Sequence, residues 1–348
     1  MMDSYINNKG WNYSYTYARS LACIAIVVLH TVYSAVVLNR PSLTPAQQTG
    51  SMMIVQNMMW AVPCFVMITG ALLLDPNKTV TFKKLYSVYI LRVFGALVLF
   101  GVFFRVFDVF MDHEPKTPVS FLKGFAEIFT GTSWSHLWYL YLLIGLYLLL
   151  PFYKKIASNS DPKEIRYLLL IYGIFLSVLP VLHVFGIETA FYIHVSSIYP
   201  FYLFFGYALR SGIIKINRVL SWCLTVVSTV AILVLTYFRV TGGINEIDSV
   251  LGYSSIPVAV QSIGVFSLFN HFRADGIKGL NKFVMSFDQC SFGIYLLHMV
   301  FVRLVLRYWE VNPYNHYWLF PALIAAFTLV SYLCVLVLRK IPYLNKII

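Results

Sequence analysis

Charge is what this sequence has least of. Only 11% of its 348 residues are Asp, Glu, Lys or Arg, against about 25% in soluble domains, which excludes a water-soluble globular fold for most of the chain. Acidic residues are the scarcer sign, 14 Asp and Glu against 26 Lys and Arg, for a formal charge of +12. In so apolar a chain that excess marks cytoplasmic loops and anionic headgroups, not a nucleic-acid partner. No two of Cys23, Cys64, Cys223, Cys290 and Cys334 share a C-x-x-C spacing, so neither a disulfide framework nor a zinc site is implied. The common soluble-enzyme signatures are missing as well. There is no GxSxG elbow, no GxxxxGK[ST] loop, no HExxH and no dinucleotide fingerprint. Neither a soluble domain, a low-complexity linker nor an internal repeat stands out.

What the chain has is hydrophobicity, 59% of its residues and a mean hydropathy of +0.74. Its apolar runs approach the ~20 residues that a helix needs to cross a bilayer. They predict an all-α polytopic membrane protein of ten spans, at roughly 16–38, 51–74, 86–110, 137–152, 166–184, 195–210, 220–240, 253–271, 290–309 and 318–339. The first run is no signal peptide, being too long and followed by no small-residue cleavage site. With ten spans, nineteen of the Lys and Arg residues fall on the side of the termini and seven on the other. The positive-inside rule then places both termini in the cytoplasm, and residues 1–348 read as one membrane domain. The outer loop 111–136 contains an amphipathic piece, Phe121–Phe129, suited to the membrane interface.

Ionisable groups inside a membrane helix are costly, so each is a functional candidate. Arg19 and His30 lie in the first span. Eleven helical steps return His30 to within about 20° of Arg19, some 16 Å further along the axis. One helix face thus carries a permanent cation near a membrane surface and a titratable group at mid-depth. A neutral imidazole suits a general base; a packed, satisfied histidine is the competing reading. Arg19 is either a snorkelling positive-inside anchor or a dock for a phosphorylated ligand. Lys83, Lys84 and Arg92 lie at or just inside the same surface, Arg92 about two turns into its apolar run. At the outer mouth of the fourth span stand His136, Trp138 and Tyr139. In the ninth, Ser291 and His298 share a face, with His298 at the depth of His30. Arg105 and Asp108, spaced i,i+3, read as a structural pair. Arg303 and Arg307 suit a phosphate or lipid headgroup, and Glu246 and Asp248 read as solvated.

These residues bring a family into view. Arg19-x10-His30, the Val62–Leu74 segment VPCFVMITGALLL, His136-Leu-Trp-Tyr-Leu with Tyr147 and Pro151, and Ser291-Phe-Gly-Ile-Tyr-Leu-Leu-His298 occur in that order. As an ordered set they resemble the bacterial acyltransferase family 3, multi-pass membrane O-acyltransferases of surface glycans. Arg92 matches the second arginine of that family's RxxR element, with Tyr89 in the place of the first. The resemblance implies transfer of an acyl group, commonly acetyl, from cytoplasmic acyl-CoA, a co-substrate and not a bound cofactor. The acceptor would be a hydroxyl of a cell-envelope glycan or lipid-linked sugar, and the location the bacterial cytoplasmic membrane, among membrane lipids. His30 and His298 would then serve catalysis. Arg19, Arg92, Lys84, His136, Trp138 and Ser291 would bind donor or acceptor, with no metal. A transporter of a small anion or lipid-linked precursor also needs polar groups at mid-depth, but neither a two-fold repeat nor paired interrupted helices appear. A non-catalytic sensor or assembly factor is the third class.

Overall fold

A computed structural model describes residues 13–187, 197–242, 250–272 and 278–348. Lys9, Glu246, Asp248, Arg273 and the first residues of the expected sixth span lie outside them. The described elements are helical, with no strand among them. The main helices are α1 (Tyr13–Asn39), α2 (Pro45–Asn57), α3 (Ala61–Leu73), α4 (Leu91–Met111), α5 (Pro118–Thr130), α6 (Trp138–Asn159), α7 (Pro162–Gly173), α8 (Tyr199–Ser211), α9 (Arg218–Val240), α10 (Ile256–Asn270), α11 (Lys278–Arg303), α12 (Leu319–Leu338) and α13 (Leu344–Ile347).

Helix starts are written in the sequence. Thr44 and Asp161 build capping boxes with Gln47 and Glu164, each followed by proline at the first helical position. The expected second span is interrupted between α2 and α3. Pro63 has no N–H to offer the Met59 carbonyl, and the chain tightens into i→i−3 bonds from Met58, Met59 and Ala61.

Eight helical stretches among the described residues are long and apolar enough to cross a membrane: 13–42, 45–73, 82–111, 135–159, 162–185, 218–240, 279–308 and 319–338. Each matches one expected span. The other two, 195–210 and 253–271, coincide with α8 and α10, of 13 and 15 residues. At ~1.5 Å per residue these reach only about 20 and 22 Å, short of the ~30 Å hydrocarbon core.

The chain divides into two compact units, one of residues 1–75 and 157–332, the other of residues 76–156 and 333–348. In the first, α1 and α11 run side by side in the same direction. Tyr17 Oη donates to Asn281 Oδ1 (2.8 Å), Ser20 Oγ to the Val284 carbonyl (3.4 Å) and Cys23 Sγ to the Ser291 carbonyl (3.5 Å). Two parallel spans must have an odd number of crossings between them. Five of the long apolar stretches lie between α1 and α11, so with those five crossing, α8 and α10 both cross or neither does. In the same unit α3 meets α8 backbone to backbone. A Cβ on Gly70 would fall 1.8 Å from the Leu203 oxygen, and one on Gly206 2.0 Å from the Met67 oxygen; only glycine permits that approach.

In the second unit α5 fills the predicted amphipathic stretch. It buries Gly124 and Ile128 and exposes Val119, Leu122, Phe125 and Phe129. Here one expectation is corrected. Arg105 does not take Asp108 as its salt-bridge partner: its guanidinium forks onto Glu114, donates to the Ser120 carbonyl (2.8 Å) and lies 3.8 Å from Glu127. Asp108 instead accepts from Trp134 Nε1 at 2.7 Å. The loop brings Glu114 back to Arg105, which i,i+3 spacing could not reveal.

Candidate active site

Besides the Tyr17–Asn281 bond, the α1–α11 seam carries two rungs of ionisable side chains. At one, Arg19 Nε lies 3.3 Å from Asp288 Oδ1, with the two side chains 13% and 4% exposed. Thr16 adds a hydrogen bond to the Asp288 carboxyl. At the other, His30 Nδ1 lies 2.7 Å from His298 Nε2, with the ring centroids 5.0 Å apart and the ring planes within 14° of each other. Each helix covers the distance between rungs with nearly the same number of residues, eleven on α1 and ten on α11. Two parallel helices therefore hold both pairs in register over roughly 15–16 Å.

The histidine pair has a defined direction. His298 Nδ1 lies 3.0 Å from the Ile294 carbonyl one turn back on its own helix. A carbonyl only accepts, so Nδ1 of His298 carries the proton and its Nε2 carries the lone pair. His30 Nδ1–H therefore donates to His298 Nε2, and Nε2 of His30 is the nitrogen with the lone pair. His298 is fully buried, whereas His30 is partly exposed. The ring able to accept a proton is thus the one that can be approached, and the buried ring fixes its tautomer.

Ser291 is also in the seam, 4% exposed, with its carbonyl against Cys23. Sequence reasoning misses Asp288, although an acidic residue beside the apolar run that carries His298 is itself a signal. Its presence changes the reading of Arg19, whose Nε edge is committed to a carboxylate.

The other candidates belong to the second unit. Arg92 Nε donates to the Ile347 carbonyl of α13 at 3.1 Å. Lys84 is exposed, one turn after the cap where its backbone N–H meets Thr81 Oγ1 (3.3 Å). Tyr89 is buried within a π-helical stretch, Leu85–Ile90, and packs on the motif residue Tyr147 at 5.6 Å; such stretches often accompany functional positions. His136 was expected at an open mouth and is instead 2% exposed. It packs against Phe104 (5.3 Å) and Trp134 (6.0 Å), and Trp134 stacks flat on Phe104 at 4.1 Å. The stacked Phe104–Trp134 pair closes over it. Trp138 is partly exposed and meets Tyr139 edge-on at 6.2 Å.

The model of a family described as an acyltransferase domain matches residues 12–340, across both units. No curated protein and no solved structure matches the chain.

Proposed function

The chain belongs to acyltransferase family 3 and is a membrane acyltransferase, and from that premise we propose that it moves an acyl group, commonly acetyl, from cytoplasmic acyl-CoA to a hydroxyl of an envelope glycan or lipid-linked sugar at the bacterial cytoplasmic membrane. The observation that carries this reading is the His30–His298 pair, whose direction is set by the Ile294 carbonyl.

In this reading Nε2 of His30 takes the proton of the acceptor hydroxyl as its oxygen attacks the thioester carbonyl. His30 becomes imidazolium, and its Nδ1–H bond to His298 strengthens as the charge develops. Collapse of the tetrahedral intermediate forms the ester C–O bond and breaks the C–S bond. The imidazolium returns its proton to the departing thiolate, so the products are the acyl ester and free coenzyme A thiol. Arg19, oriented by Asp288 about 16 Å along the same face, suits the phosphate end of the donor, whose long arm separates anion from thioester.

The test joins two measurements. Mass spectrometry of envelope glycans, with and without this protein, should reveal an acyl substituent that depends on it. Purified protein in proteoliposomes should consume the acetyl-CoA thioester. A carrier would instead move a solute across the vesicle membrane and leave the thioester intact.

A further inference from the structure

We propose that a groove between α2, α9 and α10, in the first unit, is a site for one anionic glycerophospholipid. The groove encloses about 1030 Å³, at the upper end of the ~300–1,000 Å³ typical of ligand cavities and far more than a free phosphate needs. One wall is a single stripe of α9: Arg218, Trp222, Thr225, Thr229 and Leu233. From the first to the last of these the helix rises about 22 Å. Half of a bilayer with its headgroup region measures about 20–22 Å. The groove is therefore one leaflet long.

Its chemistry is graded along that length. Arg218, the first residue of α9, and His271 stand at one end. Beyond them Trp222, Leu233, Val265 and Phe269 present apolar surface. The floor is closed by a tight helix contact, where a Cβ on Gly264 would lie 2.6 Å from Thr225 Oγ1. At mid-length the polar groups are tied together. Gln261 Nε2 donates to Asn57 Oδ1 (3.1 Å) and to Thr229 Oγ1 (3.0 Å). That clamp ties α10 to both α2 and α9 at mid-groove. An occupant must therefore be apolar over most of one leaflet and carry a negative charge at the Arg218 end. The positive end of the α9 dipole favours the same sign.

The groove is not the reaction site. Leu21 of α1 lines it, and nine helical steps carry Leu21 to His30, a rotation of about 180°. The lipid sits on the opposite face of the helix that carries the candidate base, so its role is to brace α2, α9 and α10 without reacting. The proposal stands independently of the acyl-transfer reading.

The experiment uses the full chain equilibrated with mixed micelles of equimolar phosphatidylglycerol and phosphatidylcholine, then read by native mass spectrometry. Wild type should retain one phosphatidylglycerol per chain, in about tenfold preference over phosphatidylcholine, as one charge-assisted hydrogen bond allows. Arg218→Lys should keep the preference. Arg218→Gln, at an exposed position, should erase it without unfolding the protein. Val265→Trp should cut retention of both lipids by filling the groove. Equal retention of the two lipids by wild type would overturn the proposal, as would undiminished retention by Val265→Trp. Displacement of the lipid by sodium phosphate alone would reduce the feature to a headgroup anion site and overturn it too.

Discussion

Replacing His298 by alanine tests the direction of the histidine pair. The substitution removes the acceptor of the His30 Nδ1–H bond, now 2.7 Å long. A neutral hydrogen bond is worth about 0.5–1.5 kcal/mol net. At ~1.36 kcal/mol per tenfold in rate, its loss slows the reaction about 2- to 13-fold. His30 is then also free to adopt its other tautomer, in which Nε2 is protonated and cannot act as a base. With two tautomers sampled the cost is about twofold more, or roughly 5- to 25-fold altogether. Removing the base itself, in His30→Ala, should cost about 10²–10⁴-fold. His298→Gln can set a side-chain oxygen near the place of Nε2 and should recover part of the loss. The assay is acyl transfer from acetyl-CoA in proteoliposomes, per folded protein. That normalisation matters because the alanine variant also leaves a cavity where a fully buried ring stood. If His298→Ala were less active than His30→Ala, the roles of the two rings would be reversed. If it were as active as wild type, the bond would not be setting the tautomer.

Arg19→Ala and Arg92→Ala should raise the donor KM more than they lower kcat, with Lys at 19 a partial rescue because it keeps charge without the guanidinium fork. Arg19→Ala also strands the buried Asp288 carboxyl at a cost of about 3–5 kcal/mol in stability, so the double variant Arg19→Ala/Asp288→Asn should regain folded yield but not donor affinity; unchanged donor KM in both would remove Arg19 from the donor site. Gly70→Ala places a methyl 1.8 Å from the Leu203 oxygen and should lower the thermal midpoint by more than the same change at Gly145, which meets nothing within 4 Å. Cysteine-accessibility labelling should find positions near Lys154 inside and near Lys116 outside; both on one side would end the ten-span topology.

The sequence made the helices and the common level of the two histidines legible, because hydrophobic length and residue spacing are properties of one helix at a time. It could not say that His30 and His298 touch, since that requires α1 and α11 to be neighbours, 268 residues apart in the chain. For the same reason Arg19 read as a solitary cation. Its partner Asp288 lies on the other helix, and the positive-inside count weighs only Lys and Arg. Arg105 was paired with its nearest helical neighbour, whereas the chain leaves the helix and returns Glu114 to it. His136 was placed by its position at a span boundary, but Phe104 comes from another helix and covers it. The errors share a cause: spacing within one helix predicts which residues share a face, not what stands opposite that face.

The most direct test of the account is the activity of His30→Gln. The amide keeps a hydrogen-bonding side chain of similar reach but cannot take up a proton. Purified into proteoliposomes with acetyl-CoA and the acceptor-bearing envelope fraction, the variant should bind donor as wild type does and transfer acyl groups at least about 100-fold more slowly. Transfer at a rate near wild type would mean that His30 orients the acceptor without deprotonating it, and the base would lie elsewhere.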